Sequence, residues 1–256
     1  MQNTFWMHKS IYTQLGGKGF SFFSLPHLIW LAVLVAAIAL FAFVYRVSSA
    51  GRRGNIRKGA ALFLILFEIG KQCVLALTGA PVAHNLPLHF CSFAEYAILI
   101  DALWPENRLF KPLLCYAFLP AAFVALLFPT TTAYAPISFY PIHHFILHAC
   151  IVAYILARYA AGEIRLDYKG LWIAFFSLCV LVIPLYFLDA AFDTNYVFLI
   201  DHDNNPAFKL VWDLSGGTGG ISYILGLGVL GLVVLHATYG IFAAVKAFRK
   251  RLARNR

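Results

Sequence analysis

Seven long apolar runs separated by short polar connections dominate the chain, at approximately 25–46, 59–79, 87–104, 110–128, 140–159, 170–190 and 218–244. A run of about 20 residues, wound as a helix, matches the roughly 30 Å hydrocarbon core of a bilayer. Lipid offers the backbone no hydrogen-bond partner, so helices are the only reading for segments this apolar and this long. Prolines stand where helices begin or stop. Pro87 and Pro141 open the third and fifth runs, Pro112 lies in the first turn of the fourth, and Pro129 follows its end. The pattern predicts an all-α fold: a polytopic bundle of seven transmembrane helices forming a single integral membrane domain over residues 1–256.

Composition agrees with that reading and excludes a soluble domain. Of the 256 residues 61% are hydrophobic and 12% charged, against about 25% charged in soluble domains. Residues 1–24 hold no apolar stretch of the kind a cleavable signal peptide needs. The basic residues then set the orientation. Arg46, Arg52, Arg53, Arg57 and Lys58 follow the first run, Arg108 and Lys111 the third, and Arg158, Arg165 and Lys169 the fifth. Lys246, Arg249, Lys250, Arg251, Arg254 and Arg256 follow the last, which places sixteen of the 20 basic residues in alternate connections. Basic connections stay cytoplasmic, so the N-terminus is expected outside, the C-terminus inside, and the chain in the plasma membrane (the inner membrane in a prokaryote). The net charge of +9 is then mostly topology. Its expected partners at the basic tail are anionic inner-leaflet lipids rather than nucleic acid.

Ionisable side chains inside a bilayer cost at least about 2.5–3.5 kcal/mol each near its centre, so each implies a partner or a use. Glu68 and Lys71 are three apart on the second run and read as an intrahelical ion pair with a structural role. The third run carries His89, Cys91 and Glu95; the fifth carries His143, His144 and His148. Cys91 and Glu95 share one helical face, as do His144 and His148, while His89 points away from Cys91. His143 reads as a lone interfacial histidine, and His27, His84 and His236 as solvated or hydrogen-bonded residues. Cys73, Cys115, Cys150 and Cys179 sit in apolar surroundings and read as inert packing residues.

If the Cys91–Glu95 and His144–His148 faces meet, two chemistries suit the pocket. A thiolate supported by an imidazole could take an acyl group from a lipid ester while histidine moves protons; no cofactor is needed. Alternatively, Cys91, His144 and His148 are acceptable zinc ligands for a metal-dependent amidase or esterase. A third reading is a small-solute or ion transporter using Glu68, Lys71 and Glu95.

The stretches LPLHFCS at 86–92, HHFILH at 143–148 and TNYVFLIDHDNNP at 194–206 resemble the bacterial YwaF-type integral membrane proteins. An animal relative of that family is a transmembrane ether-phospholipid acyltransferase. The resemblance implies acyl transfer between phospholipids as donor and acceptor, with Cys91 and His148 as the catalytic pair. His144, Glu95 and His89 are then supporting residues. The glycine-rich approach to the last helix, Gly216-Gly217-Thr218-Gly219-Gly220, departs from the aromatic and proline residues expected there.

Overall fold

The computed structural model describes residues 4–80, 83–203 and 205–254, and all regular secondary structure among them is helical. The helices are α1 (Lys9–Gln14), α2 (Leu25–Val47), α3 (Ala50–Thr78), α4 (Phe90–Leu103), α5 (Phe110–Leu127), α6 (Phe139–Ala160), α7 (Tyr168–Phe192), α8 (Pro206–Leu214) and α9 (Ile221–Arg254). Among the described residues six of them, α2, α3, α5, α6, α7 and α9, are long and apolar enough to cross a membrane.

The run expected over 87–104 yields only the 14 residues of α4. That is about 21 Å of helix, less than a hydrocarbon core is thick. Its ends are set chemically. His89 is the N-cap in an extended conformation two residues after Pro87, and Trp104 leaves the helix at φ −124° because the following Pro105 disfavours helical backbone before it.

Other boundaries also move. α3 begins at Ala50 rather than near 59, capped by the Ser49 side chain, which accepts from the Arg52 N–H. Arg52, Arg53, Arg57 and Lys58 therefore belong to its first turns and not to a loop. α3 ends at Gly79, whose left-handed φ of 66° suits glycine. The last helix continues past residue 244 to Arg254, and the connection over 189–217 holds α8, capped by the Asn205 side chain. Arg256 of the basic tail lies outside the described residues.

The chain divides into two compact units, Met1–Glu106 with Ala121–Ile164, and Asn107–Pro120 with Arg165–Arg256. In the first, α2 packs along α6, and α3, α4 and α6 all touch one another. His27 was expected near the surface, yet it is fully buried. Its Nε2 bonds the Leu126 carbonyl at 2.9 Å and its Nδ1 accepts the Phe23 N–H. In the second unit, α7 and α9 pack on the start of α5, where Leu113–Phe118 form a π-helical segment with all six residues buried. Tyr116 there donates to the Asp167 carbonyl at 2.9 Å.

Candidate functional site

The second residue of α4 is Cys91. A helix's first turn leaves backbone N–H groups unpaired, and its dipole end there is positive. One turn further on, Glu95 lies on the same face. It is fully buried, and neither carboxyl oxygen makes a hydrogen bond among the described residues.

Helix α3 faces α4 with its own charges. Lys71 Nζ lies 2.7 Å from Glu68 Oε1, and the Gln72 amide donates to the same oxygen at 2.8 Å. Gln72 also donates to the Asn85 carbonyl at 2.8 Å, which ties α3 to the segment before α4. The intrahelical pair thus forms, but it is not isolated. From α6, the His143 Nε2 comes within 3.6 Å of Glu68 Oε2, and its ring stacks on Phe67 with centroids 4.4 Å apart. His143 is therefore a buried member of this group and not a lone interfacial residue; a helix pattern shows which face a histidine lies on, not what that face meets.

The Lys71 ammonium is the common neighbour. It lies within electrostatic range of Cys91, Glu95, His143 and His148. The residues read separately as an ion pair and a thiol–imidazole pocket accordingly belong to one polar centre between α3, α4 and α6.

The histidines divide by what their rings already hold. His148 Nδ1 lies 2.7 Å from the His144 carbonyl. A carbonyl only accepts, so Nδ1 carries the proton and Nε2 is left with its lone pair, the form of a base. His144 Nε2 lies 2.9 Å from the Ala125 carbonyl and is committed as a donor; the two rings sit 4.3 Å apart. Cys91 makes no hydrogen bond to an imidazole among the described residues. His89 is the N-cap of α4, with its Nε2 3.1 Å from the His84 carbonyl. Among the described residues no group of three or more His, Cys, Asp or Glu side chains could hold a metal ion, so Cys91, His144 and His148 do not assemble as zinc ligands.

Beside α3 an apolar cavity of about 350 Å³ reaches Glu68, Gln72, Cys73 and Tyr96. Cys73 and Cys179 are exposed and Cys115 is buried.

A second charged cluster in the same unit escaped the sequence reading. Asp101 of α4 is fully buried and accepts from Arg158 and, at 2.7 Å, from the Tyr154 hydroxyl, both on α6. Arg158 also donates through Nε to Glu163 at 3.0 Å. The same Glu163 oxygen accepts from the Tyr45 hydroxyl of α2 at 2.7 Å and from Arg57 of α3 at 3.2 Å. Burial works against the Glu163 charge, but the hydrogen bonds from Tyr45 and Arg158 and the charges of Arg158 and Arg57 outweigh it, holding this turn carboxyl below its ordinary value. The signal was Asp101 itself, a lone carboxylate in an apolar run.

The model of the TMEM164 family matches residues 22–239, which include every residue of both clusters. No curated protein matches the chain, and no solved structure does.

Proposed function

The chain belongs to the TMEM164 family of membrane proteins, and we propose on that footing that it is a membrane-embedded phospholipid acyltransferase or lipid hydrolase with Cys91 as nucleophile. The observation that carries the reading is the convergence of three helices on the Lys71 ammonium of α3, which lies within electrostatic range of Cys91 and Glu95 of α4 and of His143 and His148 of α6. His148, with its Nδ1 proton tied to a carbonyl and its Nε2 lone pair free, acts as base and acid on lipid oxygens. His144 is fixed by its own carbonyl bond and holds its neighbour in place. The resemblance to YwaF-type proteins and to an ether-phospholipid acyltransferase supports acyl transfer, and phospholipids serve as donor and acceptor.

The same proposal places α4 and its flanking turns as a seventh, short membrane segment. The N-terminus is outside, the basic C-terminal tail lies against anionic inner-leaflet lipids, and the chain resides in the plasma membrane. The test is lipid turnover by the purified protein with a labelled phospholipid and a lysophospholipid. Cys91→Ser and His148→Ala should each abolish turnover, and the double variant should be little worse than either, as residues acting as one unit are not additive. A chelator should leave turnover intact. Full activity in Cys91→Ser overturns the reading.

A further inference from the structure

The cavity beside α3 has no part in the chemistry proposed so far. Its α3 wall is one stripe, Ile65, Ile69, Gln72, Cys73 and Ala76, whose spacings of three and four keep them on a single helical face. Pro87 and Tyr96 stand opposite. The short α4 explains the gap. It begins only at Phe90, so the last turns of α3 face a connection there, and the small side chains of Cys73 and Ala76 leave the space open. The far wall is fixed in place. The Tyr96 hydroxyl donates to the Pro87 carbonyl at 3.0 Å, and the Gln72 amide ties α3 to the Asn85 carbonyl at 2.8 Å. Glu68 reaches the cavity with its Oε1 already taken by Lys71 and Gln72. What the cavity presents is therefore almost wholly apolar.

Position, length and chemistry name one occupant. Ile69, Cys73 and Ala76 are exposed, as are Leu62, Leu66 and Leu77 on the same helix. The opening thus lies in the apolar surface that α3, a helix of spanning length, turns outward. The eleven-residue step from Ile65 to Ala76 is about 16 Å of helix, half of the roughly 30 Å hydrocarbon core and so the depth of one leaflet. The volume of about 350 Å³ falls among small-molecule pockets, which run from about 300 to 1,000 Å³. A single hydrocarbon chain has this shape and asks for no hydrogen-bond partner.

Resting on the acyl-transfer reading above, we propose that this cleft seats one acyl chain of the membrane phospholipid on which the protein acts, its methyl end at Ile65 and its ester end at Ala76 and Pro87. Pro87 is four residues ahead of Cys91 in the chain, so a lipid seated this way brings its ester to the start of α4. In the proposed orientation the Ala76 end faces the outer leaflet, and the headgroup stays at the surface. The cleft is then both a lateral entry from the bilayer and a gauge of chain length, with Ile65 as its stop.

Photolabelling of the wild-type chain in nanodiscs tests the seat, with a phosphatidylcholine carrying a diazirine on one acyl chain and the labelled residues mapped by mass spectrometry. Ile65, Ile69, Cys73 and Ala76 should be labelled at least about tenfold more than Val35 and Leu40, exposed on α2. That preference corresponds to about 1.4 kcal/mol of extra van der Waals packing. Even labelling along α2 and α3 means annular lipid only and overturns the proposal. Ala76→Trp, at an exposed position, should remove the excess, and Val35→Trp should keep it; an excess that survives Ala76→Trp overturns the proposal too. In turnover, Ile65→Trp should raise KM about tenfold for a long-chain donor and leave a short-chain donor near wild type, and an equal change for both refutes the gauge. Cys91 is not a wall of the cleft, so Cys91→Ala should keep the labelling pattern. If the pattern holds while turnover survives Cys91→Ala, the acyl-transfer reading fails and the lipid seat stands. Even labelling with turnover lost in Cys91→Ala removes the seat and leaves that reading.

Discussion

Replacing Arg158 by Met should destabilise the first unit more than any surface change in the chain. Arg158 is 2% exposed and Asp101 is fully buried. Asp101 would keep only the Tyr154 hydroxyl, and its other oxygen already has no partner among the described residues. Glu163 would lose one of its donors but keep Tyr45 and Arg57. The dominant loss is therefore an uncompensated buried carboxylate, which costs about 3–5 kcal/mol when one member of a buried pair is removed. That corresponds to a factor of about a hundred to a few thousand in the folding equilibrium. Asp101→Leu should cost less, because the guanidinium loses its buried partner but keeps Glu163 through Nε. The double variant Arg158→Met with Asp101→Leu should recover most of either loss, because well-packed apolar residues replace a buried ion pair at little or no cost. The assay is equilibrium unfolding in mixed micelles, followed by a reporter on α6. Single variants within about 1 kcal/mol of wild type, or a double variant as unstable as the sum of the singles, would refute the reasoning.

Two further outcomes follow from charge placement. Glu163 has a lowered folded pKa, so its contribution is complete above the unfolded carboxyl value of about 4.5 and is lost as pH falls through the lower folded value. The thermal midpoint of the wild type should therefore drop below that pH, and Glu163→Gln should be less stable at neutral pH but show a smaller acid loss; equal acid profiles sink this account. The alternation of basic connections predicts that a fluorescent reporter active only in the cytoplasm will be bright when fused to Arg256, and a dark but stably expressed fusion would overturn the orientation.

Helix existence was legible because apolar length is a property of the chain alone, and six of the runs became helices of spanning length. Boundaries were less so. Arg52 to Lys58 looked like a loop because charge was read as punctuation, whereas Ser49 caps a helix that carries those charges on its first turns. Pro105, which leaves Trp104 as the C-cap of α4, and Pro87 ahead of its start were both available in the sequence as limits on that helix. At the site, the spacings of Cys91 with Glu95 and of Glu68 with Lys71 were readable as shared faces. Their meeting with each other and with His143 was not, because it depends on how α3, α4 and α6 are rotated about their own axes, which spacing within one helix does not encode. Asp101 and Arg158 illustrate the same limit across 57 positions.

The π-helical segment of α5 has a consequence for what the chain can accept there. An α-helix crossing a bilayer normally shows one side to lipid, so most of its positions offer some escape for a badly fitting side chain. Leu113–Phe118 offers none, since six consecutive side chains all end in protein. The wide turn absorbs an extra residue relative to α-helical winding, so deleting one residue there restores ordinary winding while the helix on either side keeps its phase. The segment behaves as a spindle: α7 and α9 rest against it, and a one-residue deletion there takes a packed side chain from between them without turning the rest of the helix.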